Sequence, residues 1–186
     1  MDHKARIVAA EEMLQGTLSN EERAGLLERM GLWYREMGDL HESNRVLEQS
    51  LSLVPNNYYA LKVLRSTLIR IGDRDAMLKA MGELVRLDPH NPTVFDECMA
   101  FTSGGPVTKS DVLSILDGLS EDYPDDDLVQ ANCDFYSGRV LIETDPASAK
   151  EHLIAAEQAF RRLFPPEHQV FAVIQSGLAK LSEYKS

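Results

Sequence analysis

AGLLERMGLWYREMGDLHESNRVLEQSLSLVPNN (24–57) runs directly into YYALKVLRSTLIRIGDRDAMLKAMGELVRLDPHN (58–91). Gly38-Asp39 in the first stretch recurs as Gly72-Asp73 in the second, and Pro55-Asn56 recurs as Pro89-His90, both at an offset of 34 residues. Two independent turn signals at one period mark an internal repeat, and a repeat decides the architecture before any single element is assigned.

Within each stretch the apolar residues follow helical spacing. Leu27, Met30, Gly31 and Tyr34 fall on one stripe of a first helix, and Ser43, Leu47 and Ser50 on one stripe of a second. Leu61, Leu64 and Leu68, then Met81, take the corresponding places in the second stretch. Small residues at Gly31 and Ser43 let two helices approach closely where they cross. Gly38 is expected to end the first helix in the left-handed conformation, which glycine adopts without strain. Asp39 and Asp73 stand where they would cap the following helix, and Pro55 and Pro89 cannot continue it.

With each final proline set at position 32, the pattern resembles the tetratricopeptide-repeat family. That family places large apolar residues at positions 4, 7, 11 and 24, small ones at 8, 20 and 27, and Gly at 15. Residues 24–57 match it nearly throughout. Residues 58–91 match it at Leu61, Leu64, Leu68, Gly72, Met81 and Pro89, and depart with Arg65, Met77 and Leu84 where small residues are usual. The resemblance implies an all-α, right-handed solenoid of helical hairpins, and it is strong over 21–91 and moderate over 92–166.

The remaining chain reads as divergent units of the same kind, making about four repeats in a single domain spanning 1–186. Residues 92–124 form a third unit, with Val112, Leu116, Leu119 and Pro124 in frame and Ser103-Gly104-Gly105-Pro106 as a longer turn after a short helix near 92–102. Cys98 takes an apolar core position in that helix. Residues 125–166 form a fourth unit. Leu128, Ala131, Asn132 and Phe135 line its first helix, which should run past Gly138 to about Glu143. Asp145-Pro146 starts the second, carrying Ala149, Leu153, Ala156, Phe160 and Leu163 and stopping at Pro165-Pro166. A capping helix over 167–184 shows Val170, Val173, Ile174, Leu178 and Leu181 as its stripe, covering the open end of a solenoid. At the other end, 3–16 reads as an N-terminal helix with Ile7, Ala9, Met13 and Leu14 apolar; Ala9 and Met13 fall in frame with a lost second helix. Ser19 and Glu22 have capping-box spacing ahead of the next helix. Trp33, the only tryptophan, is expected to fill the space against the N-terminal helix.

Composition narrows the function. Asp plus Glu number 30 against 19 Lys plus Arg, a formal charge of -11, which argues against nucleic acid and anionic membrane and permits a basic or amphipathic protein partner. A chain of this length buries roughly 70% of its unfolded surface and needs neither disulfide nor metal to fold. The two cysteines, Cys98 and Cys133, lie far apart and suit a reducing compartment. No apolar run of membrane-spanning length and no signal-peptide core is present in MDHKARIVAAEEMLQG, so a cytoplasmic location is expected.

Chemistry-bearing motifs are missing. None of the five histidines has a His or Cys at ligand spacing, so no metal is expected. The acidic run Glu121–Asp127 lacks the alternating ligands, central Gly and closing Glu of a calcium loop, and Asp125 to Asp127 instead stand where a helix begins. Gly104-Gly105 leads into no phosphate loop, and no nucleophile elbow surrounds any serine. No catalytic residue and no cofactor is assigned.

The resemblance implies instead a protein-binding groove, since first helices of successive repeats line a concave face at positions 2, 5, 9, 12 and 13. Carried onto this chain, those positions give Glu28, Leu32 and Arg35 (with Glu36), then Tyr59, Lys62, Ser66 and Arg70 (with Ile69), then Asp96 and Ala100, then Val129, Cys133 and Tyr136. Arginine and aromatic side chains are the usual interface anchors, which favours the cluster of Arg35, Tyr59, Lys62, Arg70 and Tyr136. The clamp by which one subgroup holds chaperone carboxylates is absent, because its positions hold Glu28, Leu32, Thr93 and Glu97. The expected function is a scaffold or adaptor that binds a peptide or helix of a partner protein. The alternatives are a secretion chaperone similar to the small acidic tetratricopeptide chaperones of type III secretion, and a module that self-associates into a homo-oligomer through exposed helix ends.

Overall fold

The computed structural model describes residues 2–100 and 107–183, and among them the chain forms ten α-helices and no strand. The helices gather into two compact units, Met1–Leu87 and Asp88–Ser186.

The first unit holds α1 (His3–Leu14), α2 (Asn20–Met37), α3 (Leu40–Leu53), α4 (Tyr58–Ile71) and α5 (Arg74–Leu87). Each helix packs on the next, and α2 also packs on α4, so the first helices of the two hairpins stand side by side. The turn chemistry follows from the sequence. Ser19 and Glu22 form a full capping box at the start of α2: the Glu22 N–H donates to Ser19 Oγ at 3.2 Å, and the Ser19 N–H to Glu22 Oε2 at 2.9 Å. Gly38 and Gly72 end α2 and α4 at φ 87° and 86°, the left-handed conformation expected of them. Asp73 caps α5 by accepting from the Ala76 N–H at 3.1 Å. Asp39 precedes α3 but makes no side-chain cap, contrary to expectation, because its backbone (φ -83°, ψ 73°) leaves the extended region that aims a capping carboxylate at the helix N–H groups.

Small residues set the α2–α3 crossing. A Cβ on Gly31 would lie 2.5 Å from Leu47 Cγ, so only glycine admits that leucine. Buried Ser43 and Ser50 donate across the same interface, to the carbonyls of Gly31 at 2.8 Å and Ala24 at 2.9 Å. At the α4–α5 crossing, where the small residues are lost, Met77 and Leu84 are fully buried and fill the space, and Arg65 is buried in α4. Helix α1 departs from the expected frame. Ile7 and Ala10 face inward, with Leu14 packed beside them, whereas Ala9 is exposed and Met13 is 55% exposed. A stripe of Ile7, Ala10 and Leu14 keeps helical spacing while passing the bulk of Trp33, which packs on this cluster and carries the Arg6 guanidinium over its ring at 5.8 Å.

The second unit holds α6 (Pro92–Ala100), α7 (Lys109–Asp122), α8 (Asp127–Leu141), α9 (Pro146–Leu163) and α10 (Gln169–Glu183). The turn at 103–106 and the Cys98 side chain lie outside the described residues. Val112, Leu116 and Leu119 are buried along α7, as their spacing requires. That helix opens on a second capping box, Thr108 with Asp111, in which an aspartate takes the place of the usual glutamate. Helix α8 ends at Leu141, short of the expected Glu143. Its Gly138 is a packing residue: an added Cβ would lie 2.7 Å from Leu153 Cγ on α9. Asp145 caps α9, with Pro146 at the start, and Ala149, Leu153, Ala156 and Phe160 are buried, while Leu163 is 39% exposed at the frayed end before Pro165. In α10 Ile174 and Leu181 are buried as expected and Val170 and Leu178 are half-buried, whereas Val173 lies on the outer side at 48% exposure and Phe171, outside the expected stripe, is buried in its stead.

Candidate functional site

Side by side in the first unit, α2 and α4 present one continuous face. On α4 the residues at helical spacing are Tyr59, Lys62, Ser66, Ile69 and Arg70; on α2 they are Glu28, Leu32 and Arg35. Tyr59 is 66% exposed, the most open of the large apolar side chains among the described residues. It meets Tyr58 edge to face at 5.7 Å, and Lys62 lies over the Tyr58 ring at 6.0 Å.

Hydrogen bonds join the two helices here. Arg35 Nη1 donates to Ser66 Oγ, and the Ser66 hydroxyl proton goes to its own helix, at the Val63 carbonyl 2.8 Å away. Arg70 Nη1 donates to the Arg35 carbonyl at 2.8 Å, one of the last carbonyls of α2. A cation at a helix C-terminus meets the negative end of the dipole, so both arginines are favoured where they stand. At the other end, Asn57 Nδ2 donates to Glu28 Oε2 at 2.9 Å. The seven expected groove residues of this unit thus lie on one face.

The second unit departs from expectation. Val129, Cys133 and Tyr136 were assigned to the groove, but they are 0%, 6% and 2% exposed and belong to the core. Tyr136 stacks on Phe95 at 4.9 Å, meets Phe135 edge to face at 5.0 Å, and donates its hydroxyl to the Pro92 carbonyl at 3.0 Å. Burial pushes its phenol well above the ordinary range, with the Asp96 carboxylate adding to the effect. Burial raises the Cys133 thiol to about 12, with Asp134 and Asp117 contributing, which favours its neutral form. Helix α8 packs on α6, α7 and α9, and Phe95 of α6 covers the Tyr136 ring.

Beside Tyr136 is a cleft of about 570 Å³, whose lining includes Pro92, Phe135, Arg139, Phe164 and Val173. Arg139, unnoticed in the sequence, lies over Phe135 and Tyr136 at 5.3 and 5.1 Å and is paired with Asp96 at 2.8 Å. Its place four residues after Phe135, one helical turn on, was the available signal. In the first unit a cleft of about 740 Å³ has Glu48 and Glu83 on its walls, but the leucines at its base, Leu61, Leu64 and Leu68, are themselves buried core. Among the described residues no group of three or more His, Cys, Asp or Glu is placed to hold a metal, and no helix is long and apolar enough to cross a membrane.

No protein-family model matches the sequence, and no curated protein matches it. Among solved structures the chain is similar to the "MamA RS-1 ArsTM double mutant", at 15% identity and TM-score 0.52, over 87% of this chain and 86% of that one. A second structure, "MamA MSR-1 C2", aligns at 16% identity and TM-score 0.45 over 87% of this chain and 89% of that one. The "APC/C hetero-tetramer Cut9-Hcn1" aligns at 16% identity and TM-score 0.45, over 99% of this chain and 34% of that one. At these identities the likeness concerns the fold, and the first of the three carries it.

Proposed function

We propose that this chain, an all-α protein of the tetratricopeptide type, is a non-catalytic interaction scaffold that holds a segment of a partner protein on the α2–α4 face. The observation that carries the reading is Tyr59, an aromatic side chain left 66% exposed on a face that otherwise presents Lys62, Arg70 and the fixed Arg35. Exposed aromatic and arginine side chains on a rigid surface are the composition of interface anchors. Support comes from the core beneath: Leu27, Leu61, Leu64 and Leu68 on these same helices are buried, so the face is built on helices anchored in the core.

The test is a comparison of captures. The parent chain, its Tyr59→Ala variant and its Lys62→Glu/Arg70→Glu variant are used as baits in lysate of the native organism. The reading expects a partner held by the parent chain and lost by both variants at unchanged helicity. A partner retained equally by all three baits would remove the α2–α4 face from the account.

A further inference from the structure

The α2–α4 face carries two arginines at one end and the exposed ring of Tyr59 at the other, near the Asn57–Glu28 pair, and this placement says what it holds. Arg35 and Arg70 each place one guanidinium N–H on a neutral oxygen of the protein, Ser66 Oγ and the Arg35 carbonyl. A guanidinium carries five N–H donors, so these contacts use a minority of each arginine's hydrogen-bonding capacity; Arg70 is exposed and Arg35 half-buried. Two acidic side chains of α2 have partners other than these arginines: Glu28 accepts from Asn57 at 2.9 Å, and Glu36 pairs with His3 at 3.1 Å. In a chain with 30 acidic and 19 basic residues, two adjacent arginines joined only to neutral oxygens are a departure from the prevailing charge. Their planar forks match a carboxylate.

Tyr59 marks the other end. Eleven residues separate it from Arg70 along α4, which at helical rise is about 16 Å. An extended peptide covers that distance in about five residues at roughly 3.3 Å each. We infer that the segment held here is an extended, acidic stretch of the partner, with an apolar side chain against Tyr59 and an Asp or Glu side chain about five residues away, held by Arg35 and Arg70. The inference rests on the proposed docking face and adds the partner's chemistry and spacing. Ser66, Lys62 and Ile69 line the path between the two ends.

The experiment pans a random peptide library, displayed through its C-terminus so that its peptide carboxylates are side chains, against the full chain. Enriched peptides should share an acidic residue about five positions from a Leu, Phe, Tyr or Trp. For one such peptide, binding is then titrated in a cycle: peptide Glu→Gln against the parent chain and against Arg35→Gln/Arg70→Gln. Loss of a charge-assisted pair should weaken binding to the parent chain about tenfold or more, and the same peptide change should have little effect on the double variant. Because Arg70 also meets the end of α2, an Arg70→Lys chain, which keeps the charge, and the peptide arm, which leaves the protein intact, hold the test open should the double variant fold poorly. Enriched peptides that lack an acid but lose binding on Tyr59→Ala would overturn the carboxylate inference and leave the docking face standing. Peptides indifferent to every change on the face, or an absence of enrichment, would overturn both.

Discussion

The hydroxyl of Ser43 on α3 donates to the carbonyl of Gly31 on α2 at 2.8 Å, deep in the first unit and beyond reach of solvent. The contact exists because neither residue has bulk at the crossing. Gly31 admits Leu47 against its Cα, and Ser43 offers a short hydroxyl in place of a bulkier side chain. Thr67 on α4 lies 3.1 Å from the same hydroxyl, so one small polar residue joins three helices.

That geometry makes opposite predictions for two glycines of one helix. Gly31→Ala should destabilise by about 1–3 kcal/mol, because its Cβ would fall on Leu47 Cγ. Gly25→Ala, with nothing within 4 Å of the new methyl, should stabilise by roughly 0.5–1 kcal/mol through helix propensity. Urea titrations followed by circular dichroism read both, and equal effects would mean that α2 and α3 do not cross at Gly31.

Gly38 tests the turn. At φ 87° a β-branched side chain is strained, so Gly38→Val should cost roughly 1 kcal/mol or more, with a lower melting temperature. An unchanged melting temperature would move the end of α2 elsewhere.

The buried thiol gives a chemical and a pH prediction. Cys133 should resist alkylation at pH 8 in the folded chain and react once urea unfolds it, with modification assigned by peptide mass mapping. Its thiol binds a proton more tightly folded, at about 12, than unfolded, near the ordinary thiol value. Its contribution to stability is therefore complete below the unfolded value and is lost as pH rises toward 12; Tyr136, also raised, acts in the same direction. Denaturant midpoints should fall with alkaline pH, and less steeply in Cys133→Ala.

Most of the fold was legible because it is written in local chemistry repeated at a fixed interval. Glycines at two helix ends, a serine–glutamate box and leucines at helical spacing each dictate a conformation without reference to distant residues. What escaped was the choice among adjacent faces. Ala9 and Ala10 are equally apolar in sequence, and it is Ala10 that is buried in the cluster on which Trp33 packs; on α10 Phe171 is buried where Val173 is exposed. The candidate site divided along the same line. Positions on α2 and α4 follow a regular repeat and came out on one face. Those on α8 follow the same frame, but there Phe95 stacks on Tyr136 and the ring belongs to the core. Aromatic character alone does not distinguish an anchor from a core residue, since both reward burial.

The central claim is that binding occurs on the α2–α4 face, and calorimetry on a captured partner tests it most directly. Tyr59→Ala should cost roughly 2 kcal/mol or more as a partly buried anchor, and Lys62→Glu/Arg70→Glu should weaken binding further, while Glu48→Ala and Lys79→Ala, both on the wall of the 740 Å³ cleft, should change it by less than about 0.5 kcal/mol. Unaltered binding in the first two, with weakened binding in the second two, would place the partner in that cleft and contradict the account.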